Sequence, residues 1–301
     1  MVAMDIESET FADKLLGFTI PSRNARARIV RLDRAAEDVL AAHDYPAPIA
    51  HLLSEALVLT VLMGGLLKAE GEEAQLTMQA QTKTGIVSLL VCDYRGGVLR
   101  GYADFNADAL GDQGVNLPLD ALFGTGHLAI TFETGRGQRY QGIVPLEGDT
   151  LAAACEAYFS QSEQVPTLIR QASKSGSDGR VAAGMLIQHL ADGEEGRERL
   201  HTRLDHPDWE HVSTIAGTIS HAELLDPDLS LEALAWRLFH EEDRVFIQPG
   251  ADLRQGCRCS ADYYASVLAR FPAQDLNDMR DASGHISVDC AFCARKYTLE
   301  I

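Results

Sequence analysis

Four cysteines near the carboxyl end limit what this chain can fold into more than any other feature. They stand as Cys257-Arg-Cys259 and Cys290-Ala-Phe-Cys293, with thirty residues between the pairs. Residues 251–301 are too few, and too poor in large apolar side chains, to hold together by burial alone. Two short pairs brought together from separate turns offer one Zn²⁺ a tetrahedron of soft thiolates at about 2.3 Å. Cys257, Cys259, Cys290 and Cys293 are therefore the expected ligands of one zinc per chain. Ligation would supply folding free energy on the order of 10 kcal/mol, so the module should unfold without its metal. Zinc ribbons usually repeat C-x2-C across roughly fifteen to twenty residues; a C-x-C pair and a longer loop mark a different module.

The same four residues are open to oxidation. Zinc holds them as thiolates, the form that oxidants attack. Each pair is near enough in sequence for a local disulfide, and oxidation that expelled zinc would replace one long-range clamp by two local loops. A thiol oxidoreductase built on Cys290 and Cys293 is the competing reading. A catalytic C-x-x-C opens a helix beside a sheet, whereas Lys296 to Ile301 reads as a strand. His285 reads as a turn residue, since four thiolates already close the shell. Cys92 and Cys155 read as small buried hydrophobes.

The formal charge of −18 opposes a partner that is chiefly nucleic acid, because phosphate binding needs clustered Lys and Arg. A zinc-ribbon nucleic-acid module is weak on the same ground. Residues 251–301 hold six Lys or Arg against seven Asp or Glu, and a tetrathiolate zinc adds further negative charge. Met1 to Thr10 show neither the basic nor the apolar part of an export signal. Paired thiols in a reducing compartment bind metal or do redox chemistry and seldom staple a fold, so the cytoplasm is the expected location. The apolar run Ala56 to Leu67 is too short to span a bilayer and reads as a buried helix, and no membrane partner is expected.

At 301 residues the chain has room for two or three compact units. Residues 1–190 read as an α+β core of mixed sheet and helix. Arg26 to Arg31, Gln75 to Gln81, Gly85 to Val91 and Leu128 to Phe132 are strand-like. A long helix from Ile49 is apolar around most of its surface and needs cover on several sides, and a second helix is expected near Thr150 to Ser160. Ser173 to Gly179 reads as a hairpin tip. Residues 191–250 hold fourteen Asp or Glu against five Arg, an excess of nine negative charges that should leave the segment marginally stable. They read either as an ordinary small helical subdomain or as a metastable connector whose apolar faces dock on a neighbour and can be released. Trp209, Val212, Ile215, Ala216 and Ile219 form one helical stripe. Ser220 and Glu223 fit a capping box, and Leu231, Leu234, Ala235, Leu238 and Phe239 form a second stripe. Both tryptophans lie here, and Trp209 and Trp236 are expected to report together on release of the segment. Residues 251–301 form the small zinc-binding domain.

Gly124-Thr-Gly126-His-Leu-Ala129 fits G-x-G-x-x-A only superficially, because a strand follows where a dinucleotide site needs a helix. No Walker A, G-x-S-x-G or H-E-x-x-H pattern occurs, and no enzymatic activity is expected.

Taken together these residues resemble the heat shock protein 33 family of redox-regulated molecular chaperones. At the carboxyl end, Cys257-Arg-Cys259-Ser260 and Val288-Asp-Cys290-Ala-Phe-Cys293 with Tyr297 look like the family's C-x-C and C-x-x-C signature. Arg139 to Gly148, Tyr158 to Thr167, Tyr45-Pro46, Leu52 to Ala56 and Leu99 to Ala103 agree in the core. The resemblance implies an α+β amino-terminal domain, a helical linker and a zinc-binding carboxyl-terminal domain. It implies a cytoplasmic holdase, inactive while reduced and zinc-bound. On oxidation such a protein loses zinc, forms Cys257–Cys259 and Cys290–Cys293 disulfides, unfolds its linker, dimerises and binds unfolding client proteins without ATP. The stretch around Asp192 to Arg203 departs from the family in length and charge and leaves the linker boundary open.

Overall fold

The strand-forming runs sort into two sheets with one buried helix between them. The computed structural model describes residues 12–67, 74–112, 114–134, 137–176, 179–190 and 205–300. In chain order the strands are β1 (Lys14–Ile20), β2 (Ala25–Leu32), β3 (Gln75–Thr82), β4 (Val87–Arg95), β5 (Val98–Phe105), β6 (Gly126–Glu133), β7 (Arg139–Pro145), β8 (Thr167–Gly176), β9 (Gly179–His189), β10 (Phe246–Asp252), β11 (Arg254–Gln255), β12 (Ile286–Asp289) and β13 (Lys296–Leu299). One sheet has the order β10-β1-β2-β9-β8 and is antiparallel throughout. The other has the order β11-β5-β4-β3-β6-β7, antiparallel except where β11 runs parallel to β5. The expected hairpin around Ser173 to Gly179 corresponds to the antiparallel pairing of β8 with β9.

Helices α1 (Arg34–Leu40) and α2 (Ala47–Gly64) follow the first hairpin. Prolines 46 and 48 start α2, where a missing N–H costs nothing. Almost every α2 side chain is buried, because the inner faces of both sheets close on it: Val30, Leu32, Ala182 and Leu186 from one, Leu76, Met78, Leu90 and Leu99 from the other. Among the described residues α2 is the one helix long and apolar enough to pass for a membrane span, and 83% of that window lies inside the protein. Single-turn helices α3 (Ala107–Leu110) and α4 (Leu119–Phe123) lie between β5 and β6, and α5 (Leu151–Tyr158), capped by Thr150, is the expected second helix. The architecture is α+β.

The outer face of the five-stranded sheet is apolar as well. Leu16, Phe18, Ile20, Ala27, Ile29, Met185 and Ile187 all point away from α2, so β9 is buried on both sides and reads as a continuous apolar run rather than an alternating one. Helices α6 (Pro207–Ala216), α7 (His221–Leu225) and α8 (Leu231–Phe239) lie across it. Both expected stripes face the sheet, and the Ser220–Glu223 capping box is formed. Two expectations for residues 191–250 need correction. Phe246–Asp252 is a strand on the sheet edge rather than helix. Trp209 is 9% exposed but Trp236 is 66% exposed, since it lies on the opposite side of α8 from the Leu231–Leu238 stripe. The stretch Asp192 to Arg203 lies outside the described residues.

Beyond β11 the chain forms α9 (Ala261–Leu268), α10 (Ala273–Met279) and the β12–β13 hairpin. Their own core consists of Leu268, Ile286 and Leu299 with partly buried Tyr264, Leu276, Val288 and Tyr297.

Candidate metal centre and its docking

Each cysteine pair is presented by a turn that its sequence favours. Cys259 is followed by Ser260, whose hydroxyl accepts from the Tyr263 amide and starts α9. Cys290 directly follows β12, and Cys293 comes just before Ala294, which takes a left-handed φ of 53°. The Ala294 amide donates to the Cys290 carbonyl at 2.8 Å, and the Cys290 amide to the Arg295 carbonyl at 2.9 Å. Cys290–Cys293 therefore occupies a hairpin turn with no helix opening at it, unlike the geometry of a catalytic C-x-x-C.

The four sulfurs lie within 4.8 Å of one another. The shortest approaches run across the pairs, Cys257 Sγ to Cys290 Sγ at 3.5 Å and Cys259 Sγ to Cys293 Sγ at 3.4 Å. A zinc tetrahedron with 2.3 Å bonds has edges of about 3.8 Å, whereas a disulfide needs about 2.05 Å. None of the six cysteines is in a disulfide, and Cys92 and Cys155 are fully buried in the core as expected.

The chemistry of the donor set also calls for a cation. Burial opposes the Cys290 thiolate, but hydrogen bonds from Tyr264, the Cys293 and Phe292 amides and Cys257 outweigh it and bring it to about 6. Burial and then the neighbouring Cys259, Cys257 and Cys290 push Cys293 up to about 12. The first thiolate forms readily and the next is resisted, a repulsion that a dication removes. Tyr297 Oη donates to the Cys259 sulfur and carbonyl, both at 3.1 Å. His285 instead joins Asp281, Ser283 and Glu300 as a turn residue.

The turns that carry the cysteines also carry the contacts to the core. Arg258 reaches Asp93 Oδ2 of β4 at 3.1 Å. The ring of Phe292 lies 4.0 Å beneath the Arg100 guanidinium of β5, and Arg100 Nε donates to Asp93 Oδ2 at 2.7 Å. His43 Nε2 is 2.6 Å from the Ala291 carbonyl oxygen. These core residues escape sequence reasoning, because nothing local in Leu99 to Ala103 signals a partner as distant in the chain as Phe292.

Two other constellations are bland. His189, His206 and Asp208 cluster, but Asp208 pairs with Arg23 at 2.8 Å and the His206 ring caps α6 by accepting the Asp208 amide. Ser173 Oγ lies 2.7 Å from His51 Nδ1, and His51 Nε2 lies 3.4 Å from Glu55 Oε1. Burial pushes Glu55 up to about 7 and His51 down, so the carboxyl offers an imidazolium little support. Gly124 and Gly126 lead into β6, not into a helix.

A family model described as Hsp33 protein matches residues 13–300. A 33 kDa chaperonin of Caulobacter vibrioides is 39% identical over 297 residues, covering 96% of this chain and 95% of its own length. One from Shewanella frigidimarina is 34% identical over 289 residues, covering 96% and 93%, and one from Escherichia coli 32% over 286 residues, covering 95% and 91%. The crystal structure of a 33 kDa chaperonin from Thermotoga maritima superposes with a TM-score of 0.74 at 20% identity, covering 96% of this chain and 95% of the other, and shows the same fold.

Proposed function

The chain belongs to the Hsp33 family, and on that premise we propose that it is a redox-regulated, ATP-independent holdase that binds unfolding client proteins under oxidative stress in the cytoplasm. One observation carries the reading: an apolar sheet face is covered by helices that run, through β10 and β11, directly into the four-sulfur module. Cys257, Cys259, Cys290 and Cys293 hold one Zn²⁺ in the resting state, where it supplies the folding free energy that the three-residue core of the module does not.

Activation is a four-electron oxidation. With a peroxide as oxidant, two molecules take up four protons and leave as four waters while the four thiolates become two disulfides, Cys257–Cys259 and Cys290–Cys293, which would leave a bound Zn²⁺ without ligands. Each disulfide then spans only its own turn, so nothing ties the 257–259 segment to the hairpin. The module loosens, the helices lift, and the sheet face beneath them, or the apolar faces of α6 and α8, bind clients. The oxidised chain dimerises through the surfaces so exposed.

The test is light scattering by a denaturing protein in the presence of the reduced, zinc-loaded chain or of the chain treated with peroxide at mild heat. Only the oxidised form is expected to suppress aggregation, with one zinc released per chain, both disulfides found by peptide mapping, and red-shifted emission from Trp209. Equal suppression by both forms would defeat the redox reading. Suppression with disulfides across the pairs would leave a chaperone but defeat the mechanism.

A further inference from the structure

We propose that Arg100 of β5 is a positioning residue that docks the cysteine module onto the six-stranded sheet while its sulfurs carry a metal, and lets go when they do not. The inference rests on the zinc reading above. Arg100 meets the module in two ways: its guanidinium covers the Phe292 ring at 4.0 Å, and it shares Asp93 Oδ2 with Arg258 of the module, which reaches that oxygen at 3.1 Å. Behind, it is fixed on Asp93, with Nη2 and Nε at 2.6 and 2.7 Å from Oδ2. Asp93 is itself only 4% exposed and accepts from Thr77 Oγ1 at 2.7 Å, so the carboxylate cannot follow the arginine outward.

The charges explain why docking should depend on the metal. Four thiolates around a dication leave two negative charges beside Arg100 and Arg258, and Asp93 supplies a third. The pair of guanidiniums then stands in a net anionic setting. Conversion of the sulfurs to disulfides removes both charges at the centre and leaves Arg100 and Arg258, both on one Asp93 oxygen and with Arg95 near enough to act on Arg258, against the single carboxylate of Asp93. The same oxidation frees the Cys290–Cys293 turn, on which Phe292 is held. Electrostatic attraction and ring contact are thus lost in one step.

Docking also has a route to the helices. Directly before the module, Arg254 and Gly256 donate their amides to the Gly97 and Leu99 carbonyls, each at 3.0 Å, next to Arg100. Residues 246–252 pair with β1 of the other sheet, so the chain steps from one sheet edge to the other at Leu253. Release at Arg100 loosens the strand that anchors the end of the helical segment.

The experiment is amide hydrogen exchange on the full reduced chain, wild type against Arg100→Gln, Phe292→Leu and the double variant, with zinc content and far-UV circular dichroism measured on each. A lost charge-assisted contact predicts exchange about tenfold faster at residues 254–256. Phe292→Leu removes the ring from the module side without touching the core, and the double variant should be little worse than either single one. Arg100→Lys, which keeps charge but not the fork, should recover part of the protection. Zinc at one per chain with unchanged exchange in both single variants would overturn the role of Arg100. Strict additivity in the double variant would do the same. A wild-type chain that holds no zinc when reduced defeats the metal reading itself, before any variant is compared, and this inference with it.

Discussion

On the outward face of the six-stranded sheet, Gln141, Thr131, Thr77, Asp93 and Arg100 stand in one row across β7, β6, β3, β4 and β5. Gln141 donates to Thr131, Thr77 to Asp93 and Arg100 to Asp93. On the outward face of the five-stranded sheet stand Phe18, Ile29 and Met185 under α6 to α8. The first face suits water and binds its cover, the cysteine module, through charge. The second is compatible with water only while covered, and its cover is held mostly by apolar contact. Removing the two covers therefore has different consequences: one exposes a polar row, the other an adhesive surface.

The largest separation between the two faces is expected from truncating their covers' anchors. Phe239 is fully buried and lies 5.6 Å from the Phe18 ring. Phe239→Ala should weaken helix docking by about 3–5 kcal/mol, so that the reduced, zinc-bound chain already binds a hydrophobic dye and suppresses aggregation. Gln79→Ala, on the polar face where Gln79 bonds Gln81 at 2.9 Å, should change stability by about 0.5 kcal/mol or less. If Phe239→Ala melts the sheets and the helices in one transition, the helices are part of the core rather than a cover, and the contrast fails.

Much of this arrangement is legible in the sequence. The β3 alternation Gln-Leu-Thr-Met-Gln-Ala-Gln-Thr already declares one wet face and one dry face, and the four-cysteine spacing fixes the centre. What the sequence conceals is long-range. Trp236 shares a segment with Trp209, but only a residue in register with Leu231 and Leu234 can meet the sheet. Glycines carry hidden packing too: in the Arg139–Gly148 motif, a Cβ on Gly142 would come within 2.2 Å of the Tyr158 ring, so this signature serves close approach rather than chemistry.

The alternation of β2 puts Arg31 on the outward face of the five-stranded sheet. It shares a face with Ala25, Ala27 and Ile29, and it is 1% exposed beneath the helices. Its guanidinium donates to the carbonyls of Leu224 at 2.9 Å, Leu229 at 2.8 Å and Glu223 at 3.4 Å, while burial holds its pKa below the usual value. It adds a buried polar contact beneath the cover to the more exposed Arg23–Asp208 and Arg23–Glu242 ion pairs. Arg31→Met keeps the stem but leaves those carbonyls unpaired, and should loosen α7 by about 2–3 kcal/mol. Exchange at α7 is expected to rise more than at α6; equal rises across α6 to α8 would mean the cover lifts only as a block.

The smallest effect tests what the two faces share, the α2 layer between the sheets. Glu55 lies in α2, and burial raises its carboxyl from 4.5 to about 7. A raised carboxyl favours the fold while it is protonated, so its contribution is complete below about pH 4.5 and is lost as pH rises through 7. Glu55→Gln keeps the neutral form at every pH. The variant and the parent should therefore be equally stable at and below about pH 4.5, and the variant should be the more stable of the two above pH 8. Because α2 packs on the inner faces of both sheets, the gain should appear in global unfolding by denaturant and leave helix docking, read from Trp209, unchanged. A gain confined to the Trp209 signal would show that α2 and the helical cover are one cooperative unit, and that the two sheet faces are not independently governed.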